Sequence, residues 1–263
     1  MNQDSLQGLK ILIARPRPQG ERIANFIKSR GGTAILFPVI EIIPPDNFAS
    51  LDASLRQLTE VDVIVLVSVS AVNGLVERQR ALHQPAGDAA IPASLKVAAV
   101  GAKTAARCES LGIKVDFVPS QRADSEGLLE CMNGFSVKDK QIVIFRGQSG
   151  RELLKTELEK LGAQVKYVEC YRRRTTSQSI QPIIEKWARR DINAVLITSV
   201  SILESLIELL GRPNVELLKQ TTVITISSRI AHQCAKVGIN HVVVSDTPAD
   251  QSVLEKLKSI VNQ

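Results

Sequence analysis

What the sequence lacks narrows it first. It contains no uninterrupted apolar run of the roughly 18–20 residues that a membrane-spanning helix needs, so no membrane crossing is expected. The opening residues, MNQDSLQG, have neither the basic stretch nor the apolar core of a secretory signal, and a cytoplasmic protein is the expectation. Aromatic residues make up only 3%, which argues against stacking single-stranded nucleic acid on rings. The four cysteines, Cys108, Cys131, Cys170 and Cys234, form no CxxC pair. Cys108 and Cys234 fall within helical patterns, so buried thiols are expected rather than disulfides or metal ligands. His83, His232 and His241 are too few and too scattered for a zinc or iron site. No GxGxxG follows a strand pattern, no GxxxxGKS or GxxxxGKT occurs, and no GxSxG elbow is present. Nucleotide cofactors and serine hydrolases therefore lack their usual signatures.

What is present is ordinary globular material. A chain of 263 residues, 44% apolar and 23% charged, has room for about two domains. A net charge of +6 mildly favours an anionic partner. Short β-rich runs alternate with helical patterns. The strand candidates are Lys10–Ala14, Ala34–Ile40, Val63–Val67, Val97–Val100, Val115–Val118, Gln141–Phe145, Gln164–Cys170, Ala194–Thr198, Val223–Ile226 and Val242–Ser245. Most are continuous apolar runs, as expected of parallel strands covered on both faces. Helical patterns such as Gly20–Arg30, Arg151–Leu161, Ser201–Leu210 and Arg229–Val237 lie between them. The class is α/β with open parallel sheets.

An internal repeat sharpens this reading. IARPRPQGERIANFIKSRGG aligns with IFRGQSGRELLKTELEKLGA, which sets Arg15 against Arg146, 131 positions on. DVIVLVSVSAVNGLVE aligns with NAVLITSVSILESLIE at the same offset, setting Ser68 and Ser70 against Ser199 and Ser201. VAAVGAKTAARCESLGI aligns with VITISSRIAHQCAKVGI at offset 126, and ADSEGLLE faces ADQSVLEK. Hydrophobic rhythm alone would rarely match Arg, Ser-x-Ser and Cys, so two similar α/β units are expected.

In open parallel sheets ligands bind beyond the carboxyl ends of the strands. In the first half those junctions carry Arg15, then Ser68 and Ser70, then Gly101 and Thr104. In the second half they carry Arg146 and Gly147, then Thr198 and Ser199, then Ser227 and Ser228. Each is individually an ordinary helix cap. Together they would turn backbone amides, hydroxyls and guanidinium groups toward one edge of each sheet. Two such units facing each other would enclose a cleft suited to a ligand with several carboxylates or phosphates. Tyr171 closes the run YVECY ahead of Arg172, Arg173 and Arg174. It reads either as a half-buried ring or as a phenol donor at the mouth of that cleft. Trp187 fits a helix face packed on a sheet.

The opening ILIARPRPQGERIANFIKSRGGTAILFPVIEI, the segments VAAVGAKTA and VDFVPSQRADSEGLL, and the block IFRGQSGRELLKTELEKLGAQVKYVECYRR together resemble the uroporphyrinogen-III synthase family, from about Leu9 to the last helix. The resemblance implies two flavodoxin-like parallel-sheet domains joined by a two-stranded connector. One domain would be discontinuous, 1–37 with 174–263, the other would be 44–167, and the connector strands 38–43 and 168–173. It implies a cofactor-free, metal-free cyclisation of hydroxymethylbilane to uroporphyrinogen III with inversion of ring D and loss of water, by a monomer. A transient contact with the preceding bilane-forming enzyme is compatible with that role. The octacarboxylate substrate agrees with the expected cleft. By resemblance Tyr171 matches the tyrosine proposed to assist departure of the hydroxyl. Thr104 and Ser199 match hydroxyl positions lining the cleft, as do Ser68 and Arg15 more loosely. The sequence also departs from the family pattern. VSVSAV stands where many members carry Thr-Ser-x-Asn-Ala, and ISSRIA where many carry Gly-x-x-Thr-Ala, so Ile230 cannot supply a hydroxyl opposite Thr104. Two rivals remain: a non-catalytic two-lobed clamp for a polycarboxylate or other anionic metabolite, and a nucleic-acid binder. The second is opposed by the modest, dispersed charge and the scarcity of aromatics.

Overall fold

The computed structural model describes residues 5–82, 91, 92, 94–247 and 249–261. His83 therefore lies outside the described residues. The chain forms two compact units, Met1–Glu41 with Arg174–Gln263 (unit 1) and Ile42–Arg173 (unit 2).

It begins with β1 (Lys10–Ile13), α1 (Arg17–Ser29), β2 (Thr33–Leu36) and β3 (Ile40–Ile43). Next come α2 (Ala49–Arg56), a single 3-10 turn, β4 (Val63–Leu66), α3 (Val69–Leu82), β5 (Lys96–Ala99), α4 (Ala102–Glu109) and α5 (Ser125–Met132). The second half runs β6 (Gln141–Gly147), α6 (Leu153–Lys160), β7 (Gln164–Thr175), α7 (Gln181–Ala188), β8 (Ala194–Ile197) and α8 (Val200–Lys219). It closes with β9 (Thr222–Thr225), α9 (Ser228–Lys236), β10 (Val242–Val244) and α10 (Asp250–Val261).

Two five-stranded sheets result, ordered β10-β9-β8-β1-β2 and β3-β7-β6-β4-β5. In unit 1 every determined pair is parallel, and chain order gives 2-1-3-4-5, the flavodoxin-like arrangement. Unit 2 repeats four places of that order, with β6 and β7 for β1 and β2 and β4 and β5 for β8 and β9, while β3 adds an edge beside β7. Each unit thus draws its first βαβ from one sequence repeat and its remaining strands from the other. The tandem repeat in the sequence is an exchanged repeat in space.

The repeat reaches individual hydrogen bonds. Asp62 accepts the backbone N–H of Gln141 at 2.9 Å and donates its own N–H to the Gln141 carbonyl at 3.0 Å. Asn193 does the same to Lys10, at 2.8 and 2.9 Å. A short acidic or amide side chain is what such a clamp needs, because it must reach back to the main chain of the neighbouring strand. In both units the strands alternate between two core layers. Ile11, Ile13, Leu196 and Ile224 face Ile23, Ile27 and Leu254. Leu12, Val195 and Val223 face Trp187, Ile202, Leu206, Ile230 and Cys234. In unit 2 Ile142, Ile144, Leu154, Leu158 and Leu128 reproduce the first of these layers.

Several elements differ from the sequence expectation, each for a local reason. The run Ala34–Ile40 splits into β2 and β3 at Pro38, which has no N–H to give a ladder. The run Val115–Val118 is reduced to one parallel bridge, Ala98 to Phe117, because the Asp116 carboxylate takes the Val97 N–H at 3.0 Å. The last pattern of the first βαβ pair, Gln164–Cys170, continues five residues further as β7. The helix expected over Ser201–Leu210 continues past Gly211, whose φ of 65° breaks it before Pro213. Cys108, Cys170 and Cys234 are buried, but Cys131 is exposed on α5, against the expectation of buried thiols. Burial pushes the Cys108 thiol up to about 11 and the Cys170 thiol up to about 12, so neither is a nucleophile at neutral pH. Trp187 is core as expected, its indole N–H donating to Thr221 at 2.7 Å.

Helix α10 is tied to β1 by charge as well as packing. Arg15 donates from Nη1 to Asp250 at 3.0 Å, and Arg22 donates from Nε to the same carboxylate at 2.7 Å. Burial alone would raise the Asp250 carboxyl, but the two guanidinium groups outweigh it and hold it below its ordinary range. Asp250→Asn, which leaves a buried guanidinium without a counter-charge, should cost about 3 kcal/mol at pH 7. Because the folded pKa lies below the unfolded one, near 3.9, the carboxylate's contribution is complete above that pH and fades as pH falls through the folded value. The gap in urea midpoint between wild type and variant should hold from pH 7 to about 4 and narrow as the pH falls below that. A gap independent of pH would contradict the assignment.

Candidate active site

The carboxyl ends of β4, β5, β6 and β7 in unit 2 surround a pocket of about 280 Å³. It gathers Ser68, Arg146, Gly147 and Tyr171 from the residues marked in the sequence. It adds Ser149 and Gly150 from the same junction as Arg146, Arg173 from the basic segment beside Tyr171, and Asp124, Ser125, Arg151 and Tyr167, which sequence reasoning did not single out as site residues.

Tyr171 reaches the pocket through a break in strand alternation. In the β6–β7 ladder Arg146 pairs with Glu169 but Gly147 pairs with Tyr171, so β7 carries one extra residue at Cys170. Cys170 and Tyr171 consequently lie in the same core layer although they are consecutive. Strict alternation would have put Tyr171 on the opposite face. The ring is only 5% exposed. Gly147 lies against it: a Cβ there would stand 2.8 Å from Cε2 and Cζ of the ring. On the other side Gly74 lets α3 approach β7, since a Cβ on Gly74 would stand 2.3 Å from the Cys170 carbonyl oxygen.

Ser68, the residue between β4 and α3, links the phenol to the scaffold. Its hydroxyl accepts the Ala71 N–H at 3.2 Å, which caps α3, and donates to the Tyr171 hydroxyl oxygen at 3.2 Å. With Tyr171 already accepting from Ser68, the phenol's own proton is left for another acceptor in the pocket. Arg173, on the same strand, stands 5.8 Å from the ring centroid.

Arg146 forms the other wall. It is 7% exposed, donates from Nη1 to Glu152 at 2.9 Å, and lies 4.3 Å from the Tyr167 ring centroid. Burial and the Glu152 charge push the Tyr167 phenol up, against the opposing Arg146. Asp124 caps α5 by accepting the Gly127 N–H at 2.8 Å and is gripped by Arg122 at 3.0 Å. The Gly127 N–H first, and Arg122 with it, keep the Asp124 carboxyl below its ordinary range.

The other candidates occupy the expected junctions without joining this pocket. In unit 2 Ser70 lies in the first turn of α3, Gly101 is the N-cap of α4, and Thr104 is buried in α4. In unit 1 Ser199 caps α8 by accepting the Ile202 N–H at 3.2 Å, directly after the half-buried Thr198. Ser227 is the N-cap of α9, without a side-chain capping bond, and Ser228 is its first residue. Arg15 is committed to Asp250, although its buried Nε has no partner among the described residues. Ile230, the counterpart of Thr104, belongs to the core. No group of three or more His, Cys, Asp or Glu side chains placed to hold a metal occurs among the described residues.

Gly147→Ala should move the Tyr171 ring and cost about 1–3 kcal/mol of stability, as overpacking does. The chain has two tyrosines, so ring-labelled tyrosine NMR reads this directly. One ring signal should shift strongly in the variant; two unchanged signals would contradict the contact.

Comparison with known proteins reaches the same chemistry from another side. A family profile described as uroporphyrinogen-III synthase HemD matches residues 21–255. The uroporphyrinogen-III synthase of Escherichia coli is 29% identical over 251 residues, which cover 95% of this chain and all of the relative. Among solved structures, a mutant uroporphyrinogen III synthase from the extremely thermophilic bacterium Thermus thermophilus matches with a TM-score of 0.62 and 19% identity, covering 97% of this chain and 99% of that one. The uroporphyrinogen-III synthetase of Helicobacter pylori matches with a TM-score of 0.63 and 14% identity, covering 96% and 99%. At those identities the structures show a shared fold. The family match across most of the length shows more: this chain belongs to the uroporphyrinogen-III synthase family, cyclising lyases of tetrapyrrole biosynthesis.

Proposed function

We propose that this chain cyclises hydroxymethylbilane to uroporphyrinogen III with inversion of ring D and loss of water, and that Tyr171 assists departure of the ring A hydroxyl. The reading carries with it a monomer working in the cytoplasm. The observation that supports the catalytic role is the hydrogen-bond polarity at Tyr171. A phenol that already accepts from Ser68 at 3.2 Å is set to donate, and it does so in a pocket lined by Arg146, Arg151 and Arg173.

The reaction begins when the C–O bond of the hydroxymethyl arm breaks. The hydroxyl leaves as water with a donated proton, and an azafulvene remains on ring A. Ring D attacks this carbon through its own substituted position, forming a spiro intermediate that fragments and recloses in the inverted sense. The proton given at the start is matched by the one lost when aromaticity returns. Tyr171 holds the donated proton. The pocket, at about 280 Å³, suits one substituted pyrrole ring rather than a whole bilane. The remaining junction residues are assigned to binding: Ser70, Gly101 and Thr104 in unit 2, and Arg15, Thr198, Ser199, Ser227 and Ser228 in unit 1. Their backbone amides and hydroxyls suit carboxylate arms. Because the free bilane closes without inversion, selectivity is a difference between two barriers, about 2.7 kcal/mol for a hundredfold preference. Orienting rings and arms is how such a difference is obtained. The non-catalytic clamp is not favoured, since the synthase match spans 21–255.

The test is an isomer assay, with the bilane made in situ from porphobilinogen by its deaminase and the oxidised porphyrins separated by chromatography. Wild-type protein should turn predominantly type I product into type III. Tyr171→Phe, folded by circular dichroism, should lower turnover about 100-fold, the scale of a lost general acid. Type I product alone from folded wild-type protein would overturn the reading, and full activity in Tyr171→Phe would remove Tyr171 from the step.

A further inference from the structure

We propose that the pocket of unit 2 holds a carboxylate subsite centred on Arg146, in which a ligand carboxylate takes the place that the Asp250 carboxylate holds beside Arg15 in unit 1. The proposal deepens the synthase reading and rests on it for the ligand's identity.

The repeat makes the comparison residue by residue. Arg15 corresponds to Arg146 at offset 131, and Asp250 to Asp124 at offset 126, each after an equivalent strand or at the start of an equivalent helix. The packing beneath is shared, with Leu254 and Leu128 both buried against the corresponding strands. In unit 1 the arginine and the aspartate meet at 3.0 Å and close the junction. In unit 2 both line the pocket and the ion pair is absent among the described residues.

The cause is visible in the neighbours of Asp124. Arg122 binds its carboxylate from Nη2 at 3.0 Å and from Nε at 3.3 Å, while the Gly127 N–H takes the other oxygen at 2.8 Å. The position matching Arg122 in the other repeat is Pro248, which has no charge to offer Asp250. Asp250 also carries a second arginine, Arg22, and still holds Arg15; in unit 2 Arg122 and the helix-capping Gly127 N–H together occupy both oxygens of Asp124, and Arg146 is left without it.

The Arg146 guanidinium is fixed but under-committed. Nε reaches the Gly147 carbonyl at 3.3 Å, the plane lies over Tyr167, and a Cβ on Gly150 would stand 2.9 Å from Nη2. Glycine at 150 therefore leaves that edge room. Its ionic partner, Glu152, has a side chain 67% exposed against 9% for Arg146. Such a solvated partner contributes little and is displaced cheaply, whereas the buried guanidinium keeps its need for an anion. Arg151 and Arg173 add positive charge to the same lining, with Glu126 taking part of Arg151 at 3.4 Å. A planar carboxylate, accepting from the fork of Arg146, fits this arrangement.

Kinetics and binding of uroporphyrin III, the oxidised product, test it. Arg146→Gln should raise the KM for the bilane about tenfold and weaken uroporphyrin III by a similar factor, as expected for one lost charge-assisted bond, with kcat changed less than about threefold. Arg146→Lys, which keeps the charge, should recover part of the loss. Arg122→Ala should weaken binding about fivefold without touching Arg146, because Asp124 is freed to pair with it. The double variant Arg122→Ala/Asp124→Asn should restore binding. An unchanged KM and unchanged uroporphyrin III binding in Arg146→Gln, or a double variant no better than Arg122→Ala, would overturn the subsite. The two readings separate cleanly. Wild-type protein that makes type III product while Arg146→Gln binds normally refutes the subsite alone. Wild-type protein that makes only type I product, yet binds benzenehexacarboxylate through Arg146, refutes the synthase reading and keeps the subsite.

Discussion

A buried arginine needs a carboxylate, and the two units of this protein meet that demand differently. At the end of β1 Arg15 finds Asp250, which fastens α10 to the sheet. At the end of β6 Arg146 meets the solvated Glu152, the Gly147 carbonyl and the face of Tyr167. One duplicated junction thus serves as a structural clasp in unit 1 and opens into a pocket in unit 2. In unit 2 Arg122, which stands where the other repeat has a proline, and the Gly127 N–H occupy both oxygens of Asp124.

The second constraint is backbone geometry at β7. The bulge at Cys170 turns Tyr171 into the layer beneath Ser68, and Gly74 and Gly147 leave space on either side for that turn. Ser68 is economical in its chemistry. The lone pair that caps α3 and the proton that orients Tyr171 belong to the same hydroxyl, so helix start and phenol polarity are fixed together. The buried Cys170 thiol, pushed up to about 12, is a packing group within this arrangement and not a reactive one.

Much of the fold was legible in the sequence, and the reasons are local. Continuous apolar runs such as VIVL and AVLI mark strands buried on both faces, and β4 and β8 are fully buried. The matched Arg and Ser-x-Ser positions predicted two similar units, and the strand orders agree with that. What periodicity could not show was the exchange of βαβ halves between units, because tandem order says nothing about partners. Asp116 replacing a ladder with its side chain was hidden for the same reason: apolar periodicity records which face is buried, not where hydrogen bonds go. Of the candidate site, the junction residues Ser68, Arg146 and Gly147 line one pocket with Tyr171, which the bulge in β7 brings there. Asp124, Arg151 and Tyr167 were missed, since nothing in their spacing distinguishes a pocket wall from a solvated face. The signal available was the mismatch between repeats, Arg122 against Pro248, read together with the aligned aspartates.

The most direct measurement is a crystal structure of the protein with uroporphyrinogen III bound. The account predicts a product carboxylate within hydrogen-bonding distance of the Arg146 guanidinium, Glu152 displaced, and the Tyr171 hydroxyl turned toward the tetrapyrrole while still accepting from Ser68. A bound product that leaves this pocket empty, with Arg146 still resting on Glu152, would contradict it.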